Sequence, residues 1–198
     1  MTSEDDQKLI QATLAGNTDA FGQLVVRYQD RLYHSLMLMV KSPEDARDLA
    51  QEAFVHAFRK LDSFRGDSQF YTWLFRIAVN ATISFRRKAA RQKTTSVETA
   101  KEAAGIEPVD ERGGARPSAR MEVQEEQELV RRALSELSDD FRQAIVLTEI
   151  EGLSYEDAAE AAGCPIGTIR SRIHRARNEL REKLRILLKE PQSDGELS

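Results

Sequence analysis

The sequence predicts an all-α protein built from two small helical domains. Apolar residues recur at helical spacing along most of the 198 residues. Few runs alternate apolar and polar residues, and no β-branched stretch is bounded by turn residues. The pattern dissolves from about residue 89 to 118, where Thr, Ser, Ala, Glu, Gly and Pro dominate. We therefore expect domains at 1–90 and 120–190, a flexible linker at 91–119 and a tail at 191–198.

Composition narrows the class of protein. Hydrophobic residues make up 40% of the chain, which is enough for packed cores. The single cysteine, Cys164, excludes a disulfide framework, and the three scattered histidines argue against a metal site, so no metal and no cofactor is expected. The acidic start lacks the basic and apolar regions of a signal peptide, and no stretch could span a bilayer. We expect a cytoplasmic protein without direct membrane insertion.

The charge is unevenly distributed. Residues 75–93 contain six basic residues and no acid, and residues 170–185 contain seven basic residues and two acids. These two segments carry +6 and +5. Because the net charge of the whole chain is −4, the rest of the chain carries −15. Two basic segments in such an acidic background favour two contacts with a polyanion over two merely solvated helix faces.

Four helices are predicted in the first domain. The first covers about 5–15, and the second follows Thr18. The third starts sharply, with Ser42 as N-cap and Pro43 at the first helical position. A loop at 62–69 separates it from the fourth helix, at about 70–88. On the third helix, one face away from the apolar stripe carries Asp48, Gln51, Glu52 and Val55.

Aromatic residues crowd the loop and the start of the fourth helix. Phe64, Phe70, Tyr71, Trp73 and Phe75 fall within twelve residues, and basic residues are interleaved with them. Most of these aromatics have the spacing of a core, but a surplus beside cations can stack unpaired bases. The residues that could form such a base pocket and grip the phosphate backbone are Phe64, Arg65, Gly66, Asp67, Ser68, Trp73, Arg76, Asn80, Arg86, Arg87 and Lys88.

The second domain ends in a helix-turn-helix pattern. Its first helices are predicted at about 120–137 and from Ser138 to Gly152, with Val130 and Ile150 facing inward. A short helix capped by Ser154 then stops at Gly163, and a longer basic helix follows.

The longer basic helix is amphipathic. Its apolar stripe faces inward, and the residue types that reach base edges and phosphates fall on the other side. The candidate DNA-binding residues are Thr168, Arg170, Ser171, His174, Arg175, Arg177 and Asn178.

Together these segments resemble a known family. The runs 48–54, 64–68 and 71–80 resemble region two of sigma factors, and the runs 152–159 and 163–177 resemble region four. The chain is identified as a member of the extracytoplasmic-function (ECF) sigma factors, close to the RpoE-like group. The motifs occur in the family's order and cover nearly all of the chain except the linker and the tails.

The resemblance implies specific partners. Such proteins bind bacterial RNA polymerase core and direct it to promoter DNA, often in a stress or envelope response under an anti-sigma factor. By motif match, Asp48, Gln51, Glu52 and Val55 would dock on polymerase. The aromatic loop, Asn80 and the basic run after it would melt and read the minus-ten element. The basic helix after Gly163 would read the minus-thirty-five element.

Two other functions stay open from the residues alone. A self-sufficient helix-turn-helix regulator would use the first domain as a sensor or a dimerisation unit, and would bind its site without polymerase. A small helical enzyme is the weaker alternative, because the sequence has no nucleophile–base pair, no Gly-rich phosphate loop and no metal cluster.

Overall fold

The computed structural model describes residues 3–40, 42–95 and 128–189, and these residues form helices and the turns between them, without a strand. The all-α prediction is confirmed. The N-terminal part consists of α1 (Glu4–Leu14), α2 (Thr18–Met39), α3 (Pro43–Arg59), a 3₁₀ turn (Leu61–Ser63) and α4 (Phe70–Thr95). The described C-terminal part consists of α5 (128–135), α6 (Asp139–Ile145), a π-helical turn (Val146–Ile150), α7 (Tyr155–Ala162) and α8 (Ile166–Lys189).

Side-chain caps set most helix starts. The hydroxyls of Ser42, Ser138 and Ser154 accept hydrogen bonds from backbone N–H groups three residues on, as the sequence predicts for N-caps. Helix α7 ends at Gly163, whose φ of 62° lies in the left-handed region that favours glycine. This turn sets the crossing of α7 and α8 that defines the helix-turn-helix.

The N-terminal helices enclose an apolar core. Leu24, Leu32, Leu36, Leu74 and Phe75 are completely buried where α2 and α4 meet. A buried carboxylate adds a polar tie: Asp6 accepts hydrogen bonds of 2.5 Å from Arg27 Nη1 and from the Tyr28 hydroxyl. Burial, together with that bond, raises the pKa of Tyr28 to about 12, so the phenol stays protonated as a donor.

A buried arginine organises the C-terminal helices. Arg142 in α6 donates Nε to the carbonyl of Leu134 at 2.9 Å, and Nη2 to the carbonyls of Ser135 at 3.2 Å and Leu137 at 3.0 Å. Leu134 and Ser135 lie in the last turn of α5 and Leu137 lies just beyond it, and the Leu134 carbonyl also accepts from the Leu137 N–H at 3.1 Å. Burial lowers the pKa of Arg142, and the three acceptors offset the cost of burying the cation.

The two parts pack against each other. Helix α4 contacts α7, and α2 contacts both α6 and the π-helical turn. Leu38 of α2 packs on a C-terminal cluster that includes Leu134, Leu137 and Ile145. One continuous set of buried residues runs from Ile10 to Ile173 through both parts. The sequence predicted two domains but did not predict this interface.

Three expectations from the sequence are wrong in detail. Val130 and Ile150 were expected to face inward, but their side chains are 42% and 43% exposed. Ile150 ends the π-helical turn, whose i→i+5 bonding changes the angular register of an α-helix. Helix α4 continues to Thr95, so the predicted linker at 91–119 begins as helix because the apolar signal fades before the helix does. Residues 96–119 of that linker and the tail at 191–198 lie outside the described residues.

Candidate nucleic-acid interface

The α3 docking face, defined as Asp48, Gln51, Glu52 and Val55, is exposed along its whole length. The opposite side of α3 is buried, with Ala46, Ala53 and Ala57 at 0% exposure. Val55 is 48% exposed, so an apolar side chain stands among acidic and amide groups. The face therefore contributes little to this core and presents acids, an amide and one apolar side chain to solvent.

The predicted base pocket holds an aromatic cluster. The rings of Phe64, Phe70 and Trp73 lie with centroids 5.2 to 5.9 Å apart. Phe70 is completely buried, whereas Phe64 and Trp73 are half-buried at the surface. Both alternatives from the sequence therefore apply: Phe70 belongs to the core, and the two outer rings remain partly accessible.

The loop before α4 is polar and tightly turned. Gly66 has a φ of 78°, a conformation that L side chains rarely adopt. Arg65 and Asp67 are exposed, and Ser68 is half-buried. A glycine here lets the chain turn back so that Phe64 reaches the Trp73 ring.

The α4 basic face, defined as Arg76, Asn80, Arg86, Arg87 and Lys88, is only partly open. Asn80, Arg87 and Lys88 are exposed. Arg76 forms ion pairs with Asp157 and Glu160 of α7, and Arg86 forms one of 2.7 Å with Asp139 of α6. Burial lowers the pKa of Arg86. Two predicted phosphate contacts are thus held by acids of the other domain.

The recognition face, defined as Arg170, Ser171, His174 and Arg175 on α8, is exposed throughout. The other side of α8 is buried at Ile169, Ile173 and Ala176, as predicted. Because α8 packs on α7 through its apolar side, these polar side chains point away from the core. Such a face on the second helix of a helix-turn-helix fits a major groove.

The remaining candidates on α8 flank the recognition face. Thr168 is half-buried in the first turn, and its carbonyl accepts from Ser171 Oγ at 2.9 Å. Arg177 pairs with Glu149 at 2.5 Å, a hydrogen bond that raises the pKa of Arg177. The Asn178 amide lies 3.3 Å from His174 Nε2. These contacts place Arg177 on the side of its own domain and Asn178 beside the recognition face.

Four acidic residues at the domain interface escaped sequence reasoning. They are Asp139, Glu151, Asp157 and Glu160, and each bonds a group of the N-terminal part. Their partners lie 53 to more than 100 positions earlier in the chain, so no local pattern could reveal the pairing. The only available signal was the opposite charge of the basic segment at 75–93.

The comparisons with known proteins fall on both domains. The model for sigma-70 region 2 matches residues 24–92, and the model for sigma-70 region 4 matches residues 127–180. The ECF RNA polymerase sigma-E factor of Escherichia coli K12 is 42% identical over 189 residues, which cover 93% of this chain and 96% of the relative.

The chain belongs to the ECF sigma factors. Its role is promoter-specific transcription initiation by RNA polymerase, and it is not an enzyme. The RNA polymerase sigma-H factor of Pseudomonas aeruginosa is 40% identical over 191 residues, which cover 96% of this chain and 99% of the relative. The family resemblance inferred from the sequence is confirmed.

Solved structures agree with this sigma factor fold. RpoE in complex with the anti-sigma factor NepR from Bartonella quintana has a TM-score of 0.66 and 35% identity, covering 84% of this chain and 97% of that one. CnrH in complex with the cytosolic domain of CnrY has a TM-score of 0.58 and 29% identity, covering 92% and 99%. Within the described residues of the sigma factor, no helix is long and apolar enough to cross a membrane, and no acidic, His or Cys cluster could hold a metal.

Proposed function

We propose that the sigma factor divides promoter recognition between its domains, residues 1–90 serving the minus-ten element and residues 120–190 the minus-thirty-five element. The observation that carries this proposal is the exposed recognition face on α8, set against a second basic face on α4. Two cationic helices on separate domains can bind two segments of one duplex.

The minus-thirty-five contact rests on α8. Arg170 and Arg175 stand outward in the first turns, the part of a recognition helix that reaches base edges. Arginine bonds guanine with two hydrogen bonds, so one of them acts as a base reader. Thr168, Arg177 and Asn178 border this contact and serve the backbone.

The minus-ten contact rests on the loop and α4. The half-buried rings of Phe64 and Trp73, with Arg65, Gly66, Asp67 and Ser68 around them, receive an unpaired base. Asn80 reads a base edge, and the arginines and lysine of the α4 basic face hold the phosphates. The intact aromatic cluster supports this assignment, because an unstacked base needs rings to stack on.

Polymerase core docks on the α3 docking face, whose exposed acids can steer a basic partner surface. An anti-sigma factor controls the chain, which is supported by the relative RpoE solved in complex with the anti-sigma factor NepR. We place this inhibitor on the same exposed face, where it would compete with polymerase. The setting is a stress or envelope response in the cytoplasm, which fits a protein that works on polymerase and promoter DNA.

A reconstituted transcription assay tests the proposal. Purified chain, bacterial core polymerase and a promoter library should yield transcripts from a restricted set of promoters, and neither core nor chain should do so alone. Tight specific binding to a palindrome by the chain without core would instead support the self-sufficient regulator.

A further inference from the structure

We propose that Asp6 of α1 is a positioning residue for base capture: through Tyr28, it holds in place the aromatic cluster that lines the base pocket. The inference rests on the function proposed above for that pocket. Helix α1 lies before residues 24–92, which the model for region 2 matches, so the match to that model assigns no role to α1.

Asp6 is a buried carboxylate that fixes how α1 lies on α2. It is 2% exposed, and its two oxygens accept from Arg27 Nη1 and from the Tyr28 hydroxyl, each at 2.5 Å. Its backbone N–H donates to Ser3 Oγ at 3.1 Å, which places the charge in the first turn of α1, where the helix dipole favours an anion. A carboxylate is costly to bury without such partners, so α1 packs where Asp6 meets both donors.

Tyr28 carries this constraint to the start of α4. Its hydroxyl is held by Asp6, and its ring centroid lies 5.8 Å from that of Phe70 and 5.5 Å from that of Tyr71. Phe70 and Tyr71 are the first two residues of α4. Because Phe70 is completely buried in close packing, its ring cannot move independently of the rings that touch it. Holding the Tyr28 hydroxyl therefore holds the Phe70 ring.

Phe70 supports the two rings that are open to a base. Its centroid lies 5.9 Å from the centroids of Phe64 and Trp73, which are half-buried at the surface. Stacking depends on the spacing and tilt of the rings, so a displaced Phe70 would leave both open rings without their packing partner. One hydrogen bond and two successive ring contacts thus connect α1 to the surface that would receive the base.

Helix α1 also supports the other end of the aromatic loop. It contacts the 3₁₀ turn Leu61–Ser63, and Leu61 belongs to the same cluster of buried residues as Ile10 of α1. The Phe64 N–H donates to the Leu61 carbonyl at 3.2 Å, so the loop begins directly at this turn. Both ends of the loop therefore adjoin residues that α1 helps to hold.

Two variants break the link, and a matched variant spares it. Asp6→Asn keeps the shape of the side chain and removes its charge, whereas Tyr28→Phe keeps the ring and removes only the hydroxyl. Thr13→Val is the control on the same helix: the Thr13 hydroxyl donates to the Leu9 carbonyl of α1 at 2.8 Å, so its loss leaves the bonds of Asp6 in place. Circular dichroism establishes folding, and Tyr28→Phe carries the test alone if Asp6→Asn does not fold.

Fluorescence of Trp73 reports on the pocket in the full free chain, because it is the only tryptophan of the sequence. Quenching by acrylamide measures how accessible the indole is in folded molecules, and a loss of stability alone does not change it. Asp6→Asn and Tyr28→Phe should raise the quenching constant by about twofold as the cluster loosens. Thr13→Val should match the unmodified chain. Unchanged quenching in the folded test variants overturns the proposal.

Holoenzyme assembled from core polymerase and each variant tests base capture itself. The rate of strand opening, followed by permanganate reactivity of the minus-ten region, should fall about tenfold for Asp6→Asn and Tyr28→Phe, because misplaced rings cannot stack on the base. Binding to core and affinity for the closed promoter should stay unchanged. Normal opening by the folded test variants overturns the positioning role, and so does equal slowing by Thr13→Val.

Trp73→Ala, which removes a ring of the pocket, separates this inference from the function on which it rests. If Trp73→Ala opens the promoter slowly while Asp6→Asn and Tyr28→Phe open it normally, the pocket stands and only the positioning role fails. If Trp73→Ala also opens it normally, the proposed pocket fails, and the positioning role fails with it.

Discussion

The α4 basic face and the recognition face of α8 make an instructive comparison. Both follow from basic segments opposite an apolar stripe, yet Arg170 and Arg175 stand in solvent while Arg76 and Arg86 are paired with acids of the other domain. A helix carries its own register, so the sequence can say which side chains point outward. What those side chains then meet depends on the rest of the chain.

The largest expected effect separates the stability of the two domains. Arg142→Ala removes three hydrogen bonds to the carbonyls of Leu134, Ser135 and Leu137, of which the bonds to Leu134 and Leu137 are buried. We expect a loss of about 3 kcal/mol in the free energy of unfolding, measured by urea denaturation. Arg175→Ala, on the exposed side of α8, is the control and should change stability by less than about 0.5 kcal/mol.

Amide hydrogen exchange tests whether the two domains lose stability separately. For Arg142→Ala, protection should fall first in α5 and α6, and later in α2 and α4. Equal loss of protection across both domains would mean that the shared core makes them one cooperative unit.

The next effect concerns the α3 docking face. Asp48→Lys with Glu52→Lys reverses the charge of two exposed side chains, so folding should be unaffected. Binding to core polymerase should fall because like charges would meet at the interface. A pull-down with core measures it, and Lys8→Glu on α1 is a control for general charge. Undiminished binding by the folded double variant would remove this face from the mechanism.

The next effect concerns DNA binding by the recognition face, where we expect a substitution to change both affinity and base preference. Arg170→Ala or Arg175→Ala should cost about 1–3 kcal/mol in binding and relax preference at one base pair if that arginine bonds a guanine. Binding to single-base variants of the minus-thirty-five element, at several salt concentrations, measures this. A uniform loss for both variants, with a salt slope smaller by about one unit, would leave sequence reading to Ser171, His174 or DNA shape.

The smallest effect belongs to the α4 basic face. Asn80→Ala should slow strand opening without weakening duplex binding through the C-terminal domain, because the amide is exposed beside the proposed phosphate contacts and packs in no core. Permanganate footprinting of the minus-ten region reports the opening. Normal opening in this variant would give Asn80 a structural role instead.

Local chemistry explains why so much of the fold was predictable. Ser42 and Ser154 mark helix starts through bonds to N–H groups three residues on, Pro43 does so by its fixed φ at the first helical position, and Gly163 marks a stop by its positive φ. Because these signals are local, they do not reveal contacts between distant parts of the chain. Arg142 reads as one more charged residue in a helix, since its acceptors are backbone carbonyls that no side-chain pattern announces.

The interface was beyond reach for a different reason. Glu151 follows Ile150, at the end of a segment that an ordinary helix period would have continued, and its partners are 80 to 120 positions away. Val130 reads as core by spacing but is 42% exposed, because the apolar period of α5 does not say which part of its stripe a neighbour covers. Only tertiary packing decides such positions.

The π-helical turn fixes the direction in which Glu151 points from the C-terminal domain. Glu151 N–H bonds to the Val146 carbonyl five residues back at 3.0 Å. Each residue of an α-helix advances about 100°, so shortening the segment by one residue would swing Glu151 roughly a quarter turn from Ser35 and Tyr71. The helix-turn-helix beyond it would keep its own packing. An insertion or a deletion at this turn would therefore change the strength of the contact between the two domains, while every exposed residue of α8 stays the same.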